Sequence, residues 1–104
     1  MHIHALNTME IRLTDAPDPG LEQRLQGDLA RLQAMTGCLS YVLTRSRNQP
    51  DLWILSGYWS DGEEMTAHFN SQAMATLIDA LIELGAQLNF ATYAPMSAER
   101  RAAQ

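Results

Sequence analysis

Two polar side chains stand inside apolar patterns, and both are of types that do chemistry. His68, in "MTAHF" (65–69), shares a helical face with Met65 and Phe69, which directs its imidazole toward the interior. With a pKa near working pH, a histidine there can take a phenolic proton as a general base. It can equally be a core histidine bonded to a backbone carbonyl, or one marking an interruption in its helix. Asn7 lies in "IHALNTMEIRL" (3–13), where a period of two puts Ile3, Ala5, Asn7, Met9, Ile11 and Leu13 on one face. Its carboxamide, with two donors and two acceptor lone pairs, can hold a substrate oxygen or a peroxy intermediate. Alternatively it pins a helix or loop backbone, or an ordered water, because buried polar groups need partners.

Around these two stand aromatics that can form walls. Trp59 and Tyr41 can stack on a flat substrate, and a tyrosine hydroxyl can steady a developing oxyanion. Met65 and Phe69, beside His68, complete the candidate substrate-binding set. Tyr58 and Trp53 read as core or interface packing. His2 and His4 form an H-x-H with no evident third ligand, so no metal is expected. Cys38 has no neighbouring base in sequence and reads as a non-nucleophile. No phosphate-cradling glycine loop or dinucleotide fingerprint is present in the sequence.

Composition narrows the classes further. The 104 residues suffice for one two-layer domain, with 46% hydrophobic and 18% charged residues typical of globular chains. A net charge of -5, with only seven Lys and Arg, argues against nucleic acid as a partner. No apolar run approaches the roughly 20 residues that span a bilayer, and the N-terminus lacks a signal-peptide pattern. One cysteine fits a reducing compartment, and the expected location is the cytoplasm.

The elements that must position these residues follow from periodicity and breakers. The first strand, 3–13, is stopped by "DAPDPG" (15–20), where Asp18 can cap a helix starting at Pro19. Leu21, Leu25, Leu29 and Leu32 give that helix its apolar face, and Gly37 is its natural stop. "CLSYVLTRS" (38–46) and "LWILSGYWS" (52–60) are strands around the turn "RNQPD". The latter is apolar on both faces, as a central strand covered on both sides should be. "SDGE" (60–63) reads as a capping box in which Ser60 accepts from the Glu63 amide. The helix it opens carries Met65, His68, Phe69, Met74, Leu77, Ile78, Leu81 and Ile82, interrupted at "NS" (70–71) where Ser71 recaps. Gly85 ends it, "AQLNFATYA" (86–94) is a last strand, and 96–104 is a polar tail after a domain spanning 1–95. The order β-α-β-β-α-β with right-handed crossovers predicts an α+β, ferredoxin-like fold. Its four-stranded antiparallel sheet has strands one and three central and both helices on one face.

These residues resemble the antibiotic biosynthesis monooxygenase domain. The resemblance rests on Gly37-Cys38, Tyr41 on the following strand, the strand-ending Trp59, and Ala67-His68-Phe69-Asn70-Ser71 on the next helix. It spans nearly the whole chain and implies a homodimer whose sheets pack face to face into an α+β barrel. It also implies a ligand pocket between each sheet and its own helices. The family it resembles includes cofactor-independent monooxygenases of quinols and polycyclic phenols, haem-degrading enzymes, isomerases and domains without activity, and fold does not choose among them. Haem-degrading members carry an asparagine near Asn7, but their iron-binding histidine falls where this chain has Ile78, and His68 stands where they have a tryptophan. The quinone-forming members carry an asparagine four residues before the strand-ending Trp, where this chain has Leu55.

The expectation is therefore a small homodimeric enzyme, free of flavin, haem and metal, that oxidises a quinol or polyphenol with O2. Without a cofactor the substrate must supply the electrons, so the site needs a base, an oxyanion partner and a water-poor pocket. His68 and Asn7 are the catalytic candidates; Trp59, Tyr41, Met65 and Phe69 are the walls. The alternatives are an isomerase or binding protein for a small polar metabolite, and a non-catalytic dimerisation module whose pocket is filled by its own side chains.

Overall fold

The computed structural model describes residues 2–14 and 19–96. The first alternating stretch forms β1 (Ala5–Arg12), in which every second residue is buried. A helix α1 (Leu21–Gln33) follows, burying the four leucines at helical spacing. Each fully buried leucine contributes about 1.5–3 kcal/mol, so this face alone ties α1 to the sheet. β2 (Cys38–Arg45) and β3 (Leu52–Trp59) form a hairpin, then come two short helices and the last strand, β4 (Gln87–Tyr93).

The sheet order is β2-β3-β1-β4, all pairs antiparallel, so β1 and β3 are the central strands as the connectivity predicts. The core lies between the sheet and the helices. Met9, Ile11, Leu55 and Trp59 from the sheet meet Leu25, Leu29 and Leu32 of α1 and Met74, Leu77 and Leu81 of the last helix. Gly37 and Gly85 both adopt positive φ, 84° and 77°, where a side chain would be strained, and each turns the chain from a helix into a strand.

Two local expectations are corrected, and a third, the interruption at "NS" with Ser71 recapping, is borne out. The second helix is two pieces, α2 (Gly62–His68) and α3 (Gln72–Glu83), because Ser71 takes an extended conformation and accepts from the Met74 amide. The interruption read at "NS" is thus a complete break and recap, giving three helices among the described residues. The cap of α2 is Asp61, whose carboxylate accepts from the Glu63 amide at 2.7 Å; Ser60 instead donates to the Gly37 carbonyl. A carboxylate one residue nearer the helix reaches the free amides of the first turn more directly than the hydroxyl. Helix α1 begins at Leu21 with Gly20 as its N-cap, two residues later than expected. The predicted cap at Asp18 and residues 97–104 of the tail lie outside the described residues.

The two faces of β3 differ. Trp53, Leu55 and Trp59 are buried beneath the helices, whereas Ile54, Ser56 and Tyr58 are half-buried on the outer face. Leu6 of β1 joins that outer face, and Val42 and Tyr93 stand exposed on the outer strands. No helix of the described residues is long and apolar enough to cross a membrane.

Candidate functional site

The alternation of β1 delivers Asn7 to the helix-facing side, between Gly57 of β3 and Thr92 of β4 in register. Trp59 arrives on the same side at the end of β3. Tyr41 joins them through an irregularity in β2: Cys38 pairs with Trp59 and Tyr41 with Gly57, so three steps along β2 match two along β3. Directly opposed residues share a face, so this bulge turns Tyr41 inward, where straight alternation from Cys38 would have sent it out. His68 descends from the last turn of α2 onto the same spot. All four are buried: Asn7 is 2% exposed, Tyr41 4%, and Trp59 and His68 0%.

They form one hydrogen-bonded chain whose directions follow from donor and acceptor types. The Met65 carbonyl can only accept, so His68 Nδ1 carries the proton that bonds it. In a neutral ring Nε2 is then an acceptor, and the Tyr41 hydroxyl donates to it at 3.1 Å. The same hydroxyl oxygen accepts from Asn7 Nδ2 at 3.0 Å. Finally Asn7 Oδ1 accepts from the Trp59 indole N–H at 2.8 Å. Rings pack around it, with His68 centred 4.5 Å from Trp59 and 4.4 Å from Phe69.

The electrostatics agree with this proton arrangement. Burial pushes the His68 pKa below its usual value against the opposing effect of the Met65 carbonyl, so the ring is neutral at neutral pH. Burial raises Tyr41 to about 12, partly countered by the Asn7 hydrogen bond and reinforced by Cys38, so the hydroxyl keeps its proton. The site is a charge-free relay: a neutral base, a protonated phenol beside it, and a carboxamide that holds both in place.

Space for the relay depends on Gly57. A Cβ at this position would lie 2.6 Å from both Asn7 Oδ1 and Tyr41 Cε2, and 2.9 Å from the Trp59 indole nitrogen. Gly57 is the functional-site residue that sequence reasoning missed, although a glycine inside an apolar central strand is the recognised sign of such close approach.

Beside the relay, an apolar groove of about 410 Å³ opens between α3 and the edge strand β4, lined by Phe69, Met74, Ile78, Phe90, Ala91 and Thr92. Phe69 belongs to both, one face of the groove and the ring against His68. Of the predicted walls, Phe69 thus borders open space, while Tyr41 and Trp59 are buried within the relay and Met65 contributes its carbonyl. Asn7 and His68 are linked through Tyr41 rather than facing each other across a cavity. Ser71 secures the turn between the helices, donating to the His68 carbonyl at 2.8 Å and capping α3. Tyr58 points to the outer face. His2 and His4 are exposed with rings 6.3 Å apart, and no group of three or more metal-ligating side chains is clustered among the described residues.

Comparison with known proteins places the fold and the family. The profile described as "Antibiotic biosynthesis monooxygenase" matches residues 5–80. Among solved structures, SnoaB of Streptomyces nogalater, described as a cofactor-independent oxygenase, is similar at 14% identity over 90% of this chain and 94% of its own, with TM-score 0.70. Rv0793 of Mycobacterium tuberculosis is similar at 19% identity over 88% of this chain and 94% of its own, with TM-score 0.62. A conserved protein of Methanosarcina mazei is similar at 14% identity over 88% of this chain and 93% of its own, with TM-score 0.70. At these identities the likeness is one of fold. A search of curated proteins finds no significant match.

Proposed function

The chain belongs to the antibiotic biosynthesis monooxygenase family, and from that premise we propose that it is a cofactor-independent monooxygenase acting with O2 on a small electron-rich quinol or polyphenol. The observation that carries this reading is the neutral His68–Tyr41 pair, buried and free of charge, one aromatic ring away from an apolar groove. A phenol bound in the groove loses its proton to the relay: Tyr41 passes its own proton to His68 Nε2 and takes the substrate's. The resulting anion is electron-rich enough to reduce O2, and the proton it gave up is held within the buried relay. Asn7 Nδ2, already donating to the Tyr41 oxygen, stabilises negative charge there as the proton moves. The pair is closed off by Phe69, so in this reading substrate entry turns that ring aside. SnoaB, with the same fold, is described as an oxygenase of this cofactor-independent kind.

The same reading makes the outer sheet face a homodimer interface, because Leu6, Ile54 and Tyr58 offer it apolar surface that no helix of the described residues covers. Sedimentation at micromolar concentration tests this directly, and a persistent monomer rejects it.

A second reading has its own support: each side-chain nitrogen and oxygen of Asn7, Tyr41, His68 and Trp59 has a hydrogen-bond partner within the protein, as in a module whose pocket is filled by its own side chains. Oxygen uptake across a panel of quinols and polyphenols separates the two. The monooxygenase reading expects turnover that requires O2 and falls at least tenfold in His68→Ala and Tyr41→Phe. Anaerobic turnover of a small metabolite supports an isomerase instead. No turnover above background, or variants as fast as wild type, rejects the relay as catalytic.

A further inference from the structure

We propose that the cleft between α1 and the Arg45 end of β2 is a second binding site, for a small organic monocarboxylate. It lies apart from the His68 relay and does not rest on the monooxygenase reading. The cleft holds about 200 Å³ and is lined by Glu22, Gln26, Leu43, Thr44, Arg45 and Trp53. That is below the range of drug-sized pockets and suits a compact ligand.

Two donor-bearing side chains line it, Trp53 and Arg45. Trp53 is 3% exposed, and its indole Nε1 is the one buried side-chain nitrogen or oxygen among the described residues with no hydrogen-bond partner. Buried polar groups are almost always paired, so an orphan N–H on a side chain that lines a cleft, just beneath its surface, asks for an acceptor. Arg45, opposite Trp53 in the β2–β3 register, holds its guanidinium 5.6 Å from the centre of the indole ring. It makes no salt bridge among the described residues, unlike Arg12 and Arg31.

An unpartnered indole N–H and a guanidinium on residues lining one cleft select an anionic oxygen acceptor, and a planar carboxylate fits a guanidinium best. Glu22 at the same cleft disfavours a dianion such as phosphate. Leu43 and the Trp53 ring offer an apolar bed for the body of the ligand. Glu22, Gln26 and Arg45 are all exposed, so their long side chains can part to admit it and bring the indole N–H within reach.

Benzoate is the probe, followed in nitrogen-15 spectra of the full chain at constant ionic strength. The chain has two tryptophans and therefore two indole N–H signals. Trp59's is assigned by its contact with Asn7 and Trp53's by its contact with Arg45, with Trp53→Phe as a check. The expected result is a saturable downfield shift of the Trp53 signal alone. Arg45→Gln, an exposed substitution, should weaken binding about fivefold or more. Benzamide and inorganic phosphate should shift the signal much less. The proposal is overturned if benzoate leaves the Trp53 signal in place or moves it without saturating. It is equally overturned if Arg45→Gln binds as tightly as wild type, or if benzamide or phosphate binds as well as benzoate.

Discussion

Replacing Tyr41 by Phe removes one oxygen and leaves the ring in place, so it tests the relay without opening a cavity. In the folded protein that oxygen accepts from Asn7 Nδ2 and donates to His68 Nε2. Its loss strands a buried donor and a buried acceptor at once. Each unsatisfied buried group costs about 1–3 kcal/mol, and the hydroxyl's own desolvation penalty is recovered, so the net destabilisation should be about 2–4 kcal/mol. A domain of this size has about 5–15 kcal/mol in hand, so the variant still folds. Urea unfolding at pH 7 should show the midpoint falling by about 1–2 M at unchanged slope. Combined with Asn7→Ala in a double-mutant cycle, the coupling should be about 1 kcal/mol, because the two side chains share one hydrogen bond. A stability within about 0.5 kcal/mol of wild type would refute the reasoning, since ordinary neutral substitutions already scatter that much.

Other outcomes follow from the same geometry. Gly57→Ala drives a methyl to within 2.6 Å of Asn7 and Tyr41; it should destabilise by about 1–3 kcal/mol and alter Trp59 fluorescence, read by thermal and spectral scans. Ser71→Ala removes the α3 cap and the bond to the His68 carbonyl, and urea unfolding should register a loss of about 1–2 kcal/mol. Stability should fall on both sides of neutrality. Below the usual histidine value of 6.5 the unfolded chain binds a proton that buried His68 resists, so stability drops with pH, and His68→Gln should flatten that acid limb. On the alkaline side the folded chain keeps the Tyr41 proton after the unfolded chain has lost it, so stability is lost as pH rises from 10 toward 12. Tyr41→Phe should remove that alkaline loss in the same titration.

Much of this protein is written in local pattern. The alternation of 3–13 put Asn7 on the buried stripe of β1, and the two-sided apolarity of "LWILSGYW" marked β3 as central. Gly37, Gly85 and Ser71 are turn and cap residues whose backbone demands follow from their own chemistry, and each falls where the chain turns or recaps. Helical spacing sent His68 inward. Asp61 displaced Ser60 as the α2 cap because two capping residues stood side by side, and only the backbone path decides which one reaches the free amides.

What joins these residues was not local. The bonds of the relay link positions 34, 27 and 52 residues apart, and no periodicity within one element encodes such a meeting. The bulge in β2 is the decisive case: one extra residue between Cys38 and Tyr41 reverses the side on which Tyr41 stands, and pairing with β3 alone creates it. Residue types along the chain determined that a carboxamide and an imidazole would be buried on the same side of one sheet. Only the packed structure decided that a tyrosine hydroxyl, admitted by the missing side chain of Gly57, would fill the space between them.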